Sequence, residues 1–358
     1  MTPSVGLNTW KSIGSLNREL RPYVEYVRRG WKVKILTFDV NKIPELPEGI
    51  ETVRFPHHYL LWLLPWTYRE LGSWADIVKT NQSLGAYFYI RAARYWNKPI
   101  LLRCGYVHGE ALETGEGLTL KTKIYQKNES MAFRDATLCQ VPTMELSKWV
   151  QERYNINEGT ISVVPNFVDT DIFKPLQGIQ KKDKSIMSIG NLSPVKQFDL
   201  LIKACAGIPG CTLTIVGGGP KRQYLATLAK ELGVDLNLPG NLPNEELPGI
   251  LQQHQVFAIT SIREGHPKAL LEAMACGMPC VGVDAIGIQN VLKHGENGWL
   301  VKPTVQDITY GMNLILRDFL LAEFLGRNAH RFVKDNFSFK RCFDLEYTTI
   351  QKVGLFLQ

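Results

Sequence analysis

An α/β fold in two domains, each built on a parallel sheet, is what this sequence predicts, and three observations carry that prediction. At 358 residues the chain is too long for one ordinary core and suits two. From Val256 to Val283 it reads strand, loop, helix, loop, strand, which is one βαβ unit. Short apolar runs recur between helical patterns at Ile77–Thr80, Lys98–Cys104, Ser185–Gly190 and Cys211–Gly219, as buried parallel strands do.

Composition narrows the class. Hydrophobic residues make up 45% and charged residues 21%, ordinary for a globular protein. The net charge of +7 is mild for a nucleic-acid binder, so nucleic acid is not an expected partner. It suits phosphorylated ligands or an anionic membrane surface. The seven cysteines are scattered with no C-x-x-C pair and read as reduced core thiols, which points to a cytoplasmic protein. No apolar run approaches the roughly 18 residues of a membrane span, and no stretch reads as a signal peptide.

The unit from Val256 to Val283 organises the rest. The strand VFAIT runs into the polar loop Arg263-Glu264-Gly265-His266. Pro267 suits a first helical position, because its fixed φ fits and its missing N–H would have no partner there. Ala269, Leu270, Ala273 and Met274 follow at helical spacing, and Gly277 is a good helix stop. The first-turn amides, from Lys268 and Ala269, form an anion site with the positive end of the helix dipole behind them. Gly265 lets a ligand approach the backbone. Glu264 lies before the helix and Glu272 two turns later, so a phosphate at the helix start would meet a carboxylate on each flank. A nucleotide sugar has that chemistry. Charged residues are mostly exposed, so two isolated glutamates would be read as surface; the wider pattern reverses that weighting.

The run EGHPKALLEAMACGMPCV, continued by GENGWLV at 295–301, resembles the Glu-x7-Glu signature of the retaining glycosyltransferases of family 4, the group 1 glycosyl transferases. Other segments resemble the same family: RRGWKVKILTF at 28–38, TISVVPNFVDTDIFKP at 160–175, and the closing stretch after Phe337-Ser338. The resemblance implies the GT-B fold, two Rossmann-like domains facing across a cleft. It places the first domain at 1–175 and the nucleotide-sugar domain at 176–337, with a helix in 338–358 crossing back to complete the first. Such a first domain opens with an apolar strand leading into a glycine turn. Here almost no strand precedes Gly6, so the first strand is expected to be missing or truncated. Gly14 falls at the turn facing the donor phosphates, and Ile13-Gly14-Ser15 opens a helical pattern.

Site roles follow from the same resemblance. Glu272 holds the ribose hydroxyls and Glu264 those of the transferred sugar, while the backbone from Gly265 and His266 through Pro267 to Lys268 and Ala269 holds the diphosphate. Lys196 matches the family's lysine, but its arginine position holds Asn191, which brings no charge. Gly217 belongs to a glycine loop on the donor side, and Asn241 and Leu242 face the base. A dinucleotide-fold reading of Gly217-x-Gly219 fails at the third glycine position, which holds Arg222. The family's sugar-reaching histidine is carried to His108, although strict alignment puts Gly105 there. No metal and no cofactor are expected, only a UDP- or GDP-type sugar as co-substrate, since helix dipole, Lys196 and amides can hold the leaving diphosphate.

The reaction expected is retaining transfer to a glycan or lipid-linked acceptor, as in surface polysaccharide or glycolipid synthesis. The alternatives are a non-hydrolysing nucleotide-sugar epimerase of the same fold and a nucleotide-sugar-binding protein without catalysis. For residues 56–74, the most aromatic stretch, the first reading is a helix with Leu60, Leu61, Leu63 and Leu64 buried. The second is a surface that touches the inner membrane face. Arg18, Arg21, Arg28, Arg29, Lys32 and Lys34 would then add charge attraction.

Overall fold

The computed structural model describes residues 5–55, 58–105, 107 and 120–355. The chain forms two compact units. One comprises residues 1–11, 19–166 and 342–358; the other comprises 12–18 and 167–341. The division falls at 166/167 and 341/342, where the sequence reading put 175/176 and 337/338. Packing explains the first shift: Val168 and Phe173 are buried in the core of the second unit. Val168 also bridges to Ser338.

The second unit is one six-stranded parallel sheet. Its strands are β7 (Ser185–Ile189), β8 (Thr212–Val216), β9 (Asp235–Gly240), β10 (Val256–Ile259), β11 (Cys280–Val283) and β12 (Trp299–Val301). They lie in the order β12-β11-β10-β7-β8-β9. That order reverses direction between β7 and β10, and in such sheets ligands bind beyond the strand ends at the reversal. β10 and β11 are buried along their whole length, which is why both read as continuous apolar runs.

Between them lies the helix Lys268–Ala275. Pro267 does not open it as the first helical residue; with ψ at 93° it is still extended and forms the N-cap. The end is as the sequence predicts. Gly277 has φ +72°. Its N–H donates to the Met274 carbonyl and that of Met278 to the Ala273 carbonyl, the paired bonds of a Schellman stop.

Among the described residues the first unit holds two separate parallel sheets: β1 (Val33–Thr37) with β2 (Ile50–Arg54), and β3 (Val78–Thr80), β4 (Ile100–Arg103), β5 (Leu138–Val141) and β6 (Ile161–Val163). Before them come the helices Leu7–Ser12 and Leu16–Arg28; the first was not foreseen, and the second starts just beyond Gly14 and Ser15. In the stretch after residue 57, Leu61 and Leu64 are buried while Trp62 and Trp66 stand about half exposed. Leu61 and Leu64 therefore follow the core reading, Leu60 and Leu63 are only partly buried, and the tryptophans do not follow it. All seven cysteines are buried and none is in a disulfide.

A buried charge cluster ties the closing helix Phe339–Leu355 into the first unit. Glu346, 2% exposed, accepts from Lys79 Nζ at 2.5 Å, from Arg103 and from the Tyr26 hydroxyl at 2.6 Å. Burial by itself would raise the carboxyl's pKa, but Lys79 and Arg103 outweigh it and bring it from the ordinary 4.5 to about 2. Burial meanwhile pulls the Lys79 ammonium below its usual value, so the cluster holds only while all its members are present. A carboxylate with a depressed pKa stabilises the fold above its unfolded value, and that contribution disappears as pH falls from about 4.5 toward 2. It is worth about 3 kcal/mol at neutral pH. Glu346→Gln, which leaves two buried cations without their carboxylate, is expected to cost about 3–5 kcal/mol in urea unfolding at pH 7. Its deficit relative to the parent chain should narrow at pH 3; an equal deficit at both pH values would remove the cluster from this role.

Candidate functional site

The second unit brings the ends of β7, β8 and β10 and the start of the helix Lys268–Ala275 together around Glu264. The Glu264 carboxylate accepts from Lys196 Nζ at 2.5 Å and from Ser261 Oγ at 2.6 Å. Its side chain is 14% exposed and that of Lys196 24%, so both are partly withdrawn from water. Lys196 ends the short turn Pro194–Lys196, two residues ahead of the helix Phe198–Ala206. Thr260 Oγ1 fixes that turn to the end of β10, donating to the Lys196 and Gln197 carbonyls at 3.0 and 3.1 Å. The Ile262 amide donates to the Val195 carbonyl.

Glu264's own backbone is held from behind. Its N–H donates to the Ile286 carbonyl at 2.9 Å. Gly287, at φ +86°, passes so close that a Cβ there would sit 2.0 Å from the Glu264 carbonyl oxygen. Only glycine fits both that φ and that approach.

Glu272 lies one turn into the helix and is 3% exposed. Its carboxylate accepts from Asn244 Nδ2 at 2.9 Å and from Arg18 Nη1 at 3.2 Å. Arg18 arrives on the segment 12–18, which packs with this unit. Gly14, at φ +75°, sits where a Cβ would fall 2.0 Å from the Leu242 carbonyl oxygen, and its own carbonyl accepts from the Asn244 amide. Asn17 Nδ2 donates to Glu245 at 2.8 Å, and Asn241 Nδ2 to the Ser12 carbonyl at 3.5 Å. Gly14, Asn241 and Leu242, predicted separately, are thus brought together.

The glycine loop after β8 runs against the loop after β7. A Cβ on Gly217 would meet the Gly190 carbonyl oxygen at 2.0 Å, and one on Gly219 the Asn191 Oδ1 at 2.4 Å. Asn191 itself is exposed on that rim. His108 lies outside the described residues. Asp169-Thr170-Asp171 closes on itself, the Asp171 amide donating to the Asp169 carboxylate at 3.2 Å.

Arg18, Asn244, Ser261 and Gly287 were missed from sequence. Ser261 had a signal, the Ser-x-x-Glu spacing that lets a hydroxyl and a carboxylate three residues apart meet. Gly287, a lone glycine between two isoleucines, had a weaker one. Arg18 and Asn244 had none, because each meets Glu272 only through the fold.

His266 is 7% exposed, its ring 4.9 Å from that of Phe337. Burial, with Lys268 adding, lowers its pKa from 6.5 to about 4. The ring is therefore neutral at pH 7, and the helix start gains no charge from it. The unfolded chain binds a proton here that the folded chain refuses, so stability is lost as pH falls from about 6.5 toward 4. In NMR titration the His266 ring resonances are expected to stay constant from pH 8 to about 5.5 and to move only near pH 4. Titration near 6.5 would show the ring to be open to water.

The chain matches the family Glycosyl transferases group 1 over residues 169–332 and Glycosyltransferase Family 4 over residues 24–172. It is similar to an uncharacterized glycosyltransferase of Methanocaldococcus jannaschii, 29% identical over 220 residues, 56% of each chain. It is also similar to the UDP-Gal:alpha-D-GlcNAc-diphosphoundecaprenol alpha-1,3-galactosyltransferase of Escherichia coli, 26% identical over 286 residues, 74% of this chain and 72% of that one. For the M. jannaschii protein and another relative, the alignment spans about half of the relative's length. Among solved structures, sucrose-phosphate synthase of Thermosynechococcus elongatus superposes with a TM-score of 0.83 over 95% of this chain and 93% of that one, at 19% identity. HepE of Anabaena, solved with UDP and glucose, superposes at 0.72 over 85% and 86%, also at 19% identity. At such identities these likenesses speak for the GT-B fold alone.

Proposed function

The chain belongs to the glycosyl transferases group 1 family, and on that premise we propose that it moves a sugar, with retention, from a nucleoside diphosphate sugar to an acceptor hydroxyl. The observation that carries this reading is the pair of carboxylates on either side of one helix start. Glu264 is set by Lys196 and Ser261, and Glu272 by Asn244 and Arg18. The donor diphosphate would lie on the first-turn amides of Lys268–Ala275 with the dipole behind it. Lys196 would share its charge between Glu264 and the departing phosphate, replacing a metal in that role. Glu264 would accept from the sugar hydroxyls and Glu272 from the ribose. The bond from the anomeric carbon to the diphosphate breaks, the acceptor oxygen bonds to that carbon, and the acceptor proton is released. UDP is the base type best supported, since the E. coli relative is named for UDP-Gal and HepE was solved with UDP.

Donor binding and turnover separate the roles. Glu272→Gln should weaken donor binding about tenfold or more, the loss of a hydrogen bond to an ionised group, while Glu264→Gln lowers turnover more than binding. Lys196→Ala should cost more than Asn191→Ala, because only the lysine brings charge. Wild-type kinetics in both glutamate variants would overturn the assignment. Incubation with donor alone distinguishes the epimerase reading, which requires an isomer to accumulate without acceptor.

We propose also that a lipid-linked acceptor, the kind named in the E. coli relative, is met at a membrane surface through the first unit. Trp62, Trp66 and Tyr95 are about half exposed there. The Trp66 ring lies against Tyr95, with the Arg91 guanidinium 6.0 Å from its centre. Such amphipathic rings beside cations suit a headgroup layer. Arg29 is less available than the sequence suggested. It pairs with Asp344 at 2.7 Å and with Glu25, and lies over the Phe343 and Tyr347 rings. Co-sedimentation with anionic phospholipid vesicles is expected, reduced at high salt and several-fold weaker in Trp62→Ala/Trp66→Ala. No sedimentation, or sedimentation indifferent to lipid charge and salt, would point to a water-soluble acceptor. No described helix is long and apolar enough to cross a membrane.

A further inference from the structure

The second unit carries a cavity of about 880 Å³ at the end of its sheet opposite Glu264. It lies where the strands begin: Gln255 precedes β10, Pro279 precedes β11, and both line it. Its long wall is one face of the helix Phe319–Phe337, which brings Arg327, Arg331 and Lys334 to it at the i, i+4, i+7 spacing of a single face. Arg317, the last residue of the helix Val305–Arg317, and Lys181 add two more cations, against the carboxylates of Glu323 and Asp335. The volume is that of a small-molecule site, which runs to roughly 300–1,000 Å³.

The wall is fixed against the far end of the helix Lys268–Ala275. A Cβ on Gly326 would fall 2.3 Å from the Gly277 carbonyl oxygen, and His330 Nδ1 bonds the Ala275 carbonyl at 2.6 Å. Neither helix dipoles nor salt bridges account for the cations so placed. Cations complement the negative end of a helix, which covers Arg317 and Lys334 in their last turns but not Arg327 and Arg331 in mid-helix. Glu323–Arg327 and Arg331–Asp335 have the i, i+4 spacing of helical ion pairs, yet neither pair forms. Among the described residues none of the five cations is in an ion pair. Like charges one turn apart repel, so an anion between them would stabilise the arrangement.

A neutral group adds a second requirement. The Gln255 amide oxygen is closed off from water and has no hydrogen-bond partner among the described residues. Buried polar groups are rarely left in that state. A hydroxyl reaching in from the cavity would supply the missing donor, and Pro175, Pro279 and Ile315 offer apolar surface beside it.

We propose that this cavity binds a phosphorylated sugar, with its phosphates on Arg327, Arg331 and Lys334 and one hydroxyl on Gln255. Guanidinium groups take phosphate oxygens through paired N–H bonds, which suits two arginines one turn apart. The site is separate from the start of Lys268–Ala275 and does not depend on the reaction assigned there.

Calorimetric titration of the full chain with glucose 1,6-bisphosphate tests this. Saturable binding is expected, weakened about tenfold or more in Arg327→Ala/Arg331→Ala and unchanged in Lys196→Ala, which alters the donor side. Both arginines are exposed, so the double variant should keep the parental Tm. Inorganic phosphate, which has charge but no sugar hydroxyls, should bind about tenfold more weakly or less. Gln255→Ala should lower affinity for the bisphosphate and leave that for inorganic phosphate as it was. Absence of bisphosphate binding, or equal affinity in the parent and the double arginine variant, would overturn the proposal. Binding lost in Lys196→Ala would overturn it by moving the anion to the donor side, and inorganic phosphate bound as tightly would reduce the cavity to an ion site. Anionic phospholipid vesicles form the last arm. Sedimentation lost in the double arginine variant, with no bisphosphate bound, would give these cations to a lipid surface instead.

Discussion

A carboxylate taken out of water costs several kcal/mol unless donors surround it, and that constraint shapes both units. Glu346 is buried against Lys79, Arg103 and Tyr26. Glu272 is buried against Asn244 and Arg18, and Glu264 is largely withdrawn from water against Lys196 and Ser261. In each case the donors come from different elements. The carboxylate can be satisfied only when strand ends, turns and helices have reached their final places. At Glu346 the demand fixes the closing helix, and at the other two it holds a carboxylate on either side of one helix start.

The same site depends on a second constraint, that backbone can touch backbone only through glycine. Gly217 against Gly190, Gly14 against Leu242 and Gly287 against Glu264 are contacts with no room for a methyl group. They bring loops from distant parts of the sequence near enough for side chains as short as Asn244 and Ser261 to reach a carboxylate.

Much of this was legible in the sequence, for identifiable reasons. The strand–helix–strand unit around Glu264 and Glu272 is local, and its apolar runs, Gly277 stop and carboxylate spacing all follow from short-range geometry. Lys196 and Asn191 could be placed because the loop after the strand Ser185–Ile189 resembles the family's, and Gly217 because it ends a recognisable strand. Arg18 could be listed only as one basic residue among several, since nothing near it indicates a partner more than two hundred residues away. Glu346 was invisible for the same reason. It sits in an ordinary amphipathic helix, and its burial depends on cations from β3 and β4. The boundary between the units falls at 166/167 and not at 175/176, because Val168 and Phe173 fill a core that becomes visible only in the fold.

The seven buried thiols carry a consequence of their own. Cys104, Cys139 and Cys342 belong to the first unit; Cys205, Cys211, Cys276 and Cys280 belong to the second. Burial pushes the Cys139 and Cys280 thiols well above their usual range and that of Cys276 up to about 12, so in the closed protein they are poor nucleophiles. A thiol-directed reagent can label these three at an appreciable rate only when the surrounding structure opens, and the rate then measures the free energy of that opening. The chain therefore carries intrinsic clocks for its two cores. Peptide mapping of the labelled positions would time the breathing of each unit separately, with no substitution introduced.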